Sequence, residues 1–242
     1  RSKTQSRRRN ERQIPIILLD KSLVYYSDSQ LDETISHIVQ KCLIASGLPI
    51  VSATLKPLNL PGINIHIKGE RGYFTMVRQI VAALSAANSR WVFLAEHDVL
   101  LHASHFDFTP PRDDTYYYNA HTYRWDYPSE KAITYDHLVS LSGLCCNRLL
   151  ALQFFEERLA LLQEKGLMDY KTDHGFFRKL GYEPKPQVEW RSEYPNIDIR
   201  HNKTFTRRKC KLTDFTVQPT GWVETTIDRV PGSHHSPRPL PR

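Results

Sequence analysis

The residues best suited to chemistry stand where one apolar run ends. RWVFLAEHDVLL, residues 90–101, passes from a strand-like core segment straight into Glu96, His97 and Asp98. Open α/β sheets bind ligands outside the carboxyl ends of their strands, so polar side chains placed there face a binding crevice. Two carboxylates separated by one residue can turn toward the same hard dication, Mg²⁺ or Mn²⁺, which takes oxygen ligands together with phosphate oxygens. The same tripeptide can equally be a turn that closes the strand. Farther on, YKTDHGFFRKLGYEP (170–184) carries Asp173 at the start of a short expected helix that stops at Gly181. An aspartate there serves as an N-cap, and as a fixed general base. WRSEYPNIDIRHNKTFTRRK (190–209) carries His201 directly after the alternating segment Ile197, Asp198, Ile199, Arg200. Around it, Arg200, Lys203, Arg207, Arg208, Lys209 and Lys211 follow one another with no carboxylate among them. Such a run is either a solvated face or a cradle for anions. A departing diphosphate gathers negative charge, which a cation and Arg or Lys side chains stabilise.

These residues need elements to position them, and the apolar pattern supplies an alternating series. IPIILLD (14–20) reads as a first buried strand. Leu31, Ile35, Ile38, Val39 and Leu43 recur at helical spacing within 29–46, and Gly47 stops that helix before the strand LPIVSATL (48–55). A helix from Tyr73 to Ala87 places Val77, Ile80, Val81 and Leu84 on one side and leads into the strand 91–95. Strand, helix, strand, helix, strand is a nucleotide-binding half-sheet, so the fold class is α/β: a Rossmann-like, mixed, mostly parallel sheet flanked by helices. In SLSGLCCNRLLALQFF (140–155), Ser142 and Gly143 form a small-residue turn before an apolar stretch and a helix, as a substrate-lining loop requires. No Gly-rich phosphate loop follows the first strand.

Taken in order, the set resembles the GT-A glycosyltransferases, particularly the inverting, family-two-like members. The resemblance rests on a helix containing VRQ, a strand running into an acidic-x-acidic motif, a small-residue loop ending in NR, a D-H-x-x-x-R-x-x-G-Y segment and a late histidine. It covers residues 14–209, most specifically 73–108 and 140–201, and it implies a divalent cation, Mn²⁺ or Mg²⁺, and a nucleotide-sugar donor, typically a UDP-sugar. Glu96, Asp98 and His201 would hold the cation, and Asp173 would deprotonate the acceptor. Arg78, with His97, Arg200 and Lys203, would lie at the donor, and Gly143, His174 and Trp190 at the acceptor. Glu96 replaces the usual first aspartate but keeps a carboxylate, and Thr172 stands where an acidic residue usually precedes the base.

The formal charge of +7 resides at the two ends of the chain. Arg1, Lys3, Arg7, Arg8, Arg9 and Arg12 oppose only Glu11 in residues 1–13, and Arg238 and Arg242 charge the tail. Residues 1–13 and 231–242 have too little apolar content to order themselves, which leaves a single GT-A-type domain over 14–230. The basic arm, the cations near His201 and the aromatic group Tyr116, Tyr117, Tyr118, Tyr123, Trp125, Tyr127 suit a DNA acceptor, because cationic grooves track phosphates and aromatic faces stack on bases. Phage and base J glycosyltransferases acting on hydroxymethylated pyrimidines fit that description. Two other readings stand beside it: a metal-dependent nuclease or phosphodiesterase, which uses the same acidic and histidine residues, and a noncatalytic nucleic-acid-binding protein, which accounts for the basic arm but leaves the order of Glu96, His97, Asp98, Asp173 and His201 as coincidence. The four cysteines show neither zinc spacing nor disulfide density, and no apolar run spans a bilayer. The expectation is a protein without membrane insertion, cytoplasmic in a bacterial or phage-infected host cell.

Overall fold

Strand β1 (Leu19–Ser27) alternates its side chains between two cores, and that alternation sets the layering of the whole molecule. Val24 and Tyr26 face one side; Leu23 and Tyr25 face the other. The computed structural model describes residues 19–167, 183–204, 211–215 and 221–232. After β1 come α1 (Glu33–Ala45), β2 (Ile50–Thr54), β3 (Ile63–His66), α2 (Tyr73–Ala86), β4 (Ser89–Glu96) and the short β5 (Val99–Leu100). The second half supplies β6 (Tyr116–Asn119), β7 (Thr122–Asp126), β8 (Lys131–Thr134), β9 (Leu144–Asn147), α3 (Arg148–Glu164), β10 (Gln187–Trp190), β11 (Asn196–Arg200) and β12 (Val223–Thr226).

Seven of these strands form one sheet in the order β10-β6-β9-β4-β1-β2-β3. All run parallel except β9, which is antiparallel to both β4 and β6. The expected mixed, mostly parallel sheet flanked by helices is therefore present. On one face, Val77, Ile80 and Leu84 of α2 and Ala151, Phe155 and Leu162 of α3 pack against Val24, Val51, Val92 and Leu94. On the other, Ile35, Val39 and Leu43 of α1 meet Leu23, Tyr25, Phe93 and Ala95, together with residues of a second sheet.

That second sheet was not foreseen from the sequence. Its five strands run in the order β12-β8-β7-β11-β5, antiparallel except for the β7–β11 pair. Leu100, Trp125, Ala132, Ile197 and Ile199 turn inward to share the core below β1 and β4. The first described strand also departs from expectation. It contains Leu19 and Asp20 of the IPIILLD run but continues through the buried stretch Ser22–Ser27; residues 14–18 lie outside the described residues.

Local chemistry explains the helix starts. Asp32 caps α1 by accepting from the Thr34 amide, and Asn147 caps α3 by accepting from the amides of Leu149 and Leu150. The NR pair that closes the small-residue loop thus starts a helix. Gly143 lies buried where a Cβ would stand 3.0 Å from the Asn119 carbonyl oxygen, so a side chain at this turn would press against β6. Gln79 of α2 donates to the carbonyls of Ser27 (2.6 Å) and Ala53 (2.8 Å), fastening the carboxyl ends of β1 and β2 to the helix.

Candidate metal centre at the junction of the two sheets

β1 and β4 lie side by side in parallel, with Tyr26 opposite Glu96, so both strands deliver their next residues to one place. From β1 come Ser27 and Asp28; from β4 come His97 and Asp98. The chain then turns into β5, which pairs antiparallel with β11, and the Ile199 amide donates to the Asp98 carbonyl at 2.8 Å. That pairing sets the end of β11, Arg200 and His201, against Asp98. Residues 103 positions apart meet: His201 Nε2 stands 3.3 Å from Asp98 Oδ2.

One ligand atom each from His97, Asp98 and His201 lies within 4.8 Å of the others, and this is the trio of potential metal ligands found among the described residues. His97 is held from behind, its Nδ1 lying 2.9 Å from Ser27 Oγ and 3.5 Å from Asp28 Oδ1. Asp28 is itself paired with Arg71, whose guanidinium also donates to the Lys203 carbonyl. The Lys203 amide donates to His201 Nδ1 at 3.1 Å. A ring of contacts therefore runs from His97 through Asp28, Arg71 and Lys203 to His201 and Asp98.

Electrostatics separate the two carboxylates of the motif. Burial pushes the Asp98 carboxyl up, but the His201 hydrogen bond and the charges of His97 and Arg200 outweigh it, and Asp98 stays below its ordinary range. Glu96 moves the opposite way, to about 8, through burial and the neighbouring charges of Asp98 and Asp198. The Tyr26 hydroxyl is buried beside it without a well-formed hydrogen bond. Beneath the trio, Arg200 donates to Asp198 at 2.6 Å, with Arg124 at 3.4 Å from the same oxygen. Burial opposes the Arg200 charge, while Asp198, Asp98 and Glu96 together hold it protonated.

The donor set fits a divalent cation. Asp98 is ionised, His97 has Nε2 left over once Nδ1 faces Ser27 and Asp28, and His201 presents Nε2. The two histidines are not equally ready. Accepting the Lys203 amide places the His201 proton on Nε2, facing Asp98; a cation at that nitrogen needs the proton on Nδ1 and the Lys203 amide turned aside.

No family model matches this chain, and no curated protein sequence does. Solved structures to which it is similar include the following. One is titled as a glycosyltransferase involved in the glycosylation of the major capsid of PBCV-1, at 11% identity and a TM-score of 0.42, covering 71% of this chain and 81% of that one.

The remaining residues singled out in the sequence are scattered. Arg78 lies on α2, donating to the Lys68 carbonyl at 3.3 Å. Lys203 is exposed in the turn after β11. Gly143 packs on β6, and Trp190 ends β10, stacked on Phe108 at 4.3 Å and on His105 at 5.3 Å. Asp173 and His174 lie outside the described residues, as do Arg207, Arg208 and Lys209. The aromatic group requires correction as a stacking surface: Tyr116, Tyr117, Tyr118 and Trp125 are buried in the core. β6 is hydrogen-bonded on both sides, and its tyrosines fill the layers above and below it. Sequence reasoning missed Asp28 and Arg71. Asp28 closes β1 as Glu96 to Asp98 close β4, a signal that was legible once β1 was correctly placed. No helix among the described residues is long and apolar enough to cross a membrane.

Proposed function

We propose that the chain is a metal-dependent glycosyltransferase that moves a sugar from a nucleotide-sugar donor, first a UDP-sugar, onto an acceptor hydroxyl with inversion at the anomeric carbon. One observation carries the reading: Asp98 and His201, from opposite halves of the chain, meet at 3.3 Å just beyond the carboxyl ends of β1 and β4. The ordered motifs supply its chemistry, because an acidic motif after a central strand and a late histidine are the cation-holding parts of the GT-A pattern.

A divalent cation bound there would neutralise the donor diphosphate as its charge develops. Around it, the chain's own groups divide the work. Asp98, kept ionised, offers a charged oxygen, and buried Arg200 keeps the ground beneath it positive. Lys203, exposed on the adjoining turn, would meet the donor's phosphate oxygens in this reading. Asp173 takes the acceptor proton in this reading, on the strength of the motif around it. The acceptor to test first is 5-hydroxymethylpyrimidine in DNA, on the basis of the arm at 1–13 and the cations after β11. A phosphodiesterase would use carboxylates bridging two ions, whereas the trio among the described residues accommodates one.

The deciding experiment incubates the protein with a panel of nucleotide sugars and Mn²⁺, with and without hydroxymethylated DNA, and reads donor consumption and product mass. Cation-dependent turnover is expected, lost in Asp98→Ala. Asp173→Asn should bind donor yet turn over at least about a hundredfold more slowly. Removal of residues 1–12 should weaken DNA binding most at low salt. DNA cleavage without donor would replace this reading with a hydrolase, and neither activity would leave a binding protein.

A further inference from the structure

We infer that His97, the middle residue of the acidic motif, is itself a cation ligand, and that the resulting set of two imidazoles and one carboxylate selects a first-row transition dication over Mg²⁺. The inference deepens the transferase reading and rests on it for what the cation does, but not for whether the cation binds.

The case begins with orientation. A histidine that ligates a metal through one ring nitrogen nearly always gives its other N–H to a carboxylate, hydroxyl or carbonyl, which fixes both tautomer and ring plane. His97 already has that support: Ser27 Oγ and the Asp28 carboxylate stand at its Nδ1, and Asp28 is anchored by Arg71. Nε2 is the ring nitrogen left to ligate. Its side chain is 14% exposed, against 16% for Asp98 and 8% for His201, and one ligand atom of each lies within 4.8 Å of the others, so the three are similarly buried at one place. His201 lacks this readiness, since its Nδ1 accepts the Lys203 amide. The pre-formed half of the site is therefore His97 with Asp98, and His201 joins by exchanging a partner.

Cation preference follows from the donor atoms. Mg²⁺ prefers an all-oxygen octahedron and parts with water reluctantly, whereas imidazole nitrogen suits transition ions in the Irving–Williams order. Were Glu96 and Asp98 the pair of ligands, oxygen would dominate and Mg²⁺ would compete well. With His97 in place of Glu96, two of the three protein donors are nitrogen, and Mg²⁺ competes poorly.

The test uses the whole chain, Mn²⁺ and Mg²⁺, and no nucleotide sugar. Mn²⁺ binding is followed by the fall of the free-ion electron paramagnetic resonance signal, and coordinated nitrogen by spin-echo modulation. Wild type should bind one Mn²⁺ with modulation from two histidines, and about a tenfold excess of Mg²⁺ should leave most of it in place. His97→Ala should lose one nitrogen and weaken Mn²⁺ by at least about tenfold, more than Glu96→Gln does. His97→Gln keeps the volume and offers oxygen, so it serves if the alanine variant unfolds; it should narrow the preference for Mn²⁺ over Mg²⁺. The inference is overturned if wild type binds no Mn²⁺, if Mg²⁺ displaces it at equal concentration, or if both His97 variants keep two nitrogens. Failure of the donor panel alongside a two-histidine Mn²⁺ signal would sink the transferase reading alone. Donor turnover with unchanged nitrogen coordination in the His97 variants would sink this inference alone.

Discussion

Replacing Asp198 with asparagine removes one charge from the most buried ion cluster in the described structure while preserving its shape. Asp198 and Arg200 are 6% and 7% exposed, and the guanidinium donates to the carboxylate at 2.6 Å with Arg124 3.4 Å away. Breaking a buried pair by removing one partner leaves the other charge uncompensated, a loss of about 3–5 kcal/mol. Here the ionised Asp98 also faces Arg200 and takes over part of the pairing, which places the expected loss at the lower end, about 3 kcal/mol. For a chain of this size each kcal/mol moves the melting temperature by roughly 2–4 °C, so Asp198→Asn should melt about 6–12 °C below wild type. The comparison is Asp113→Asn, which breaks the exposed Arg90–Asp113 pair at 2.8 Å and should leave the melting temperature unchanged. Calorimetry and urea unfolding give both numbers. Equal melting temperatures for the two variants would refute the reasoning that Asp198→Asn leaves a buried charge uncompensated.

Glu96 gives a pH dependence with a definite sign. Its carboxyl rises from an ordinary 4.5 to about 8 in the fold, so its protonated form favours the native state; that stability is complete below about pH 4.5 and drains away as pH climbs through about 8. In cation-free buffer, Glu96→Gln should flatten the decline of urea midpoints between those limits, and an unchanged slope would contradict the burial argument. His105 shows the opposite case: burial pushes its imidazole down to about 3, while Asn119 and Asn196 both donate to its Nδ1. Its stability contribution is complete above the ordinary histidine range and is lost as pH falls toward 3. Nuclear magnetic resonance should find its ring neutral down to pH 5, and a midpoint above about 6 would show that the ring reaches solvent.

The parallel half of the fold was readable because its elements are long and apolar. Val77, Ile80 and Leu84, or the run WVFLA, leave little choice of period or face. The far end of β1 is not legible because Asp20 and Lys21 break the apolar run, and the sequence alone gives no reason to carry the strand past them. Pairing with β4 continues it to Ser27, and Asp28 is missed with that extension. The second sheet escaped for a different reason. Its strands are two to five residues long, and β7 and β11 carry Arg124, Asp126, Asp198 and Arg200, whose burial depends on partners from distant segments. An ion pair such as Arg124 with Asp198, formed between strands far apart in the chain, leaves no periodic trace. Asp98 and His201 were found by residue type and order, whereas the support that orients His97 required knowing that β1 ends beside β4.

The reversed strand β9 has a consequence for how ligands of different length could be served. Because it runs against both neighbours, the two strands beyond it, β6 and β10, return to the direction of β4. Three strand spacings of ~4.8 Å then separate the end of β4 from that of β10, which extends the ligand-facing rim by about 14 Å. Asn119 and Trp190 finish their strands on that extension. Under the transferase reading proposed above, substitutions there would reshape that rim without touching His97, Asp98 or His201.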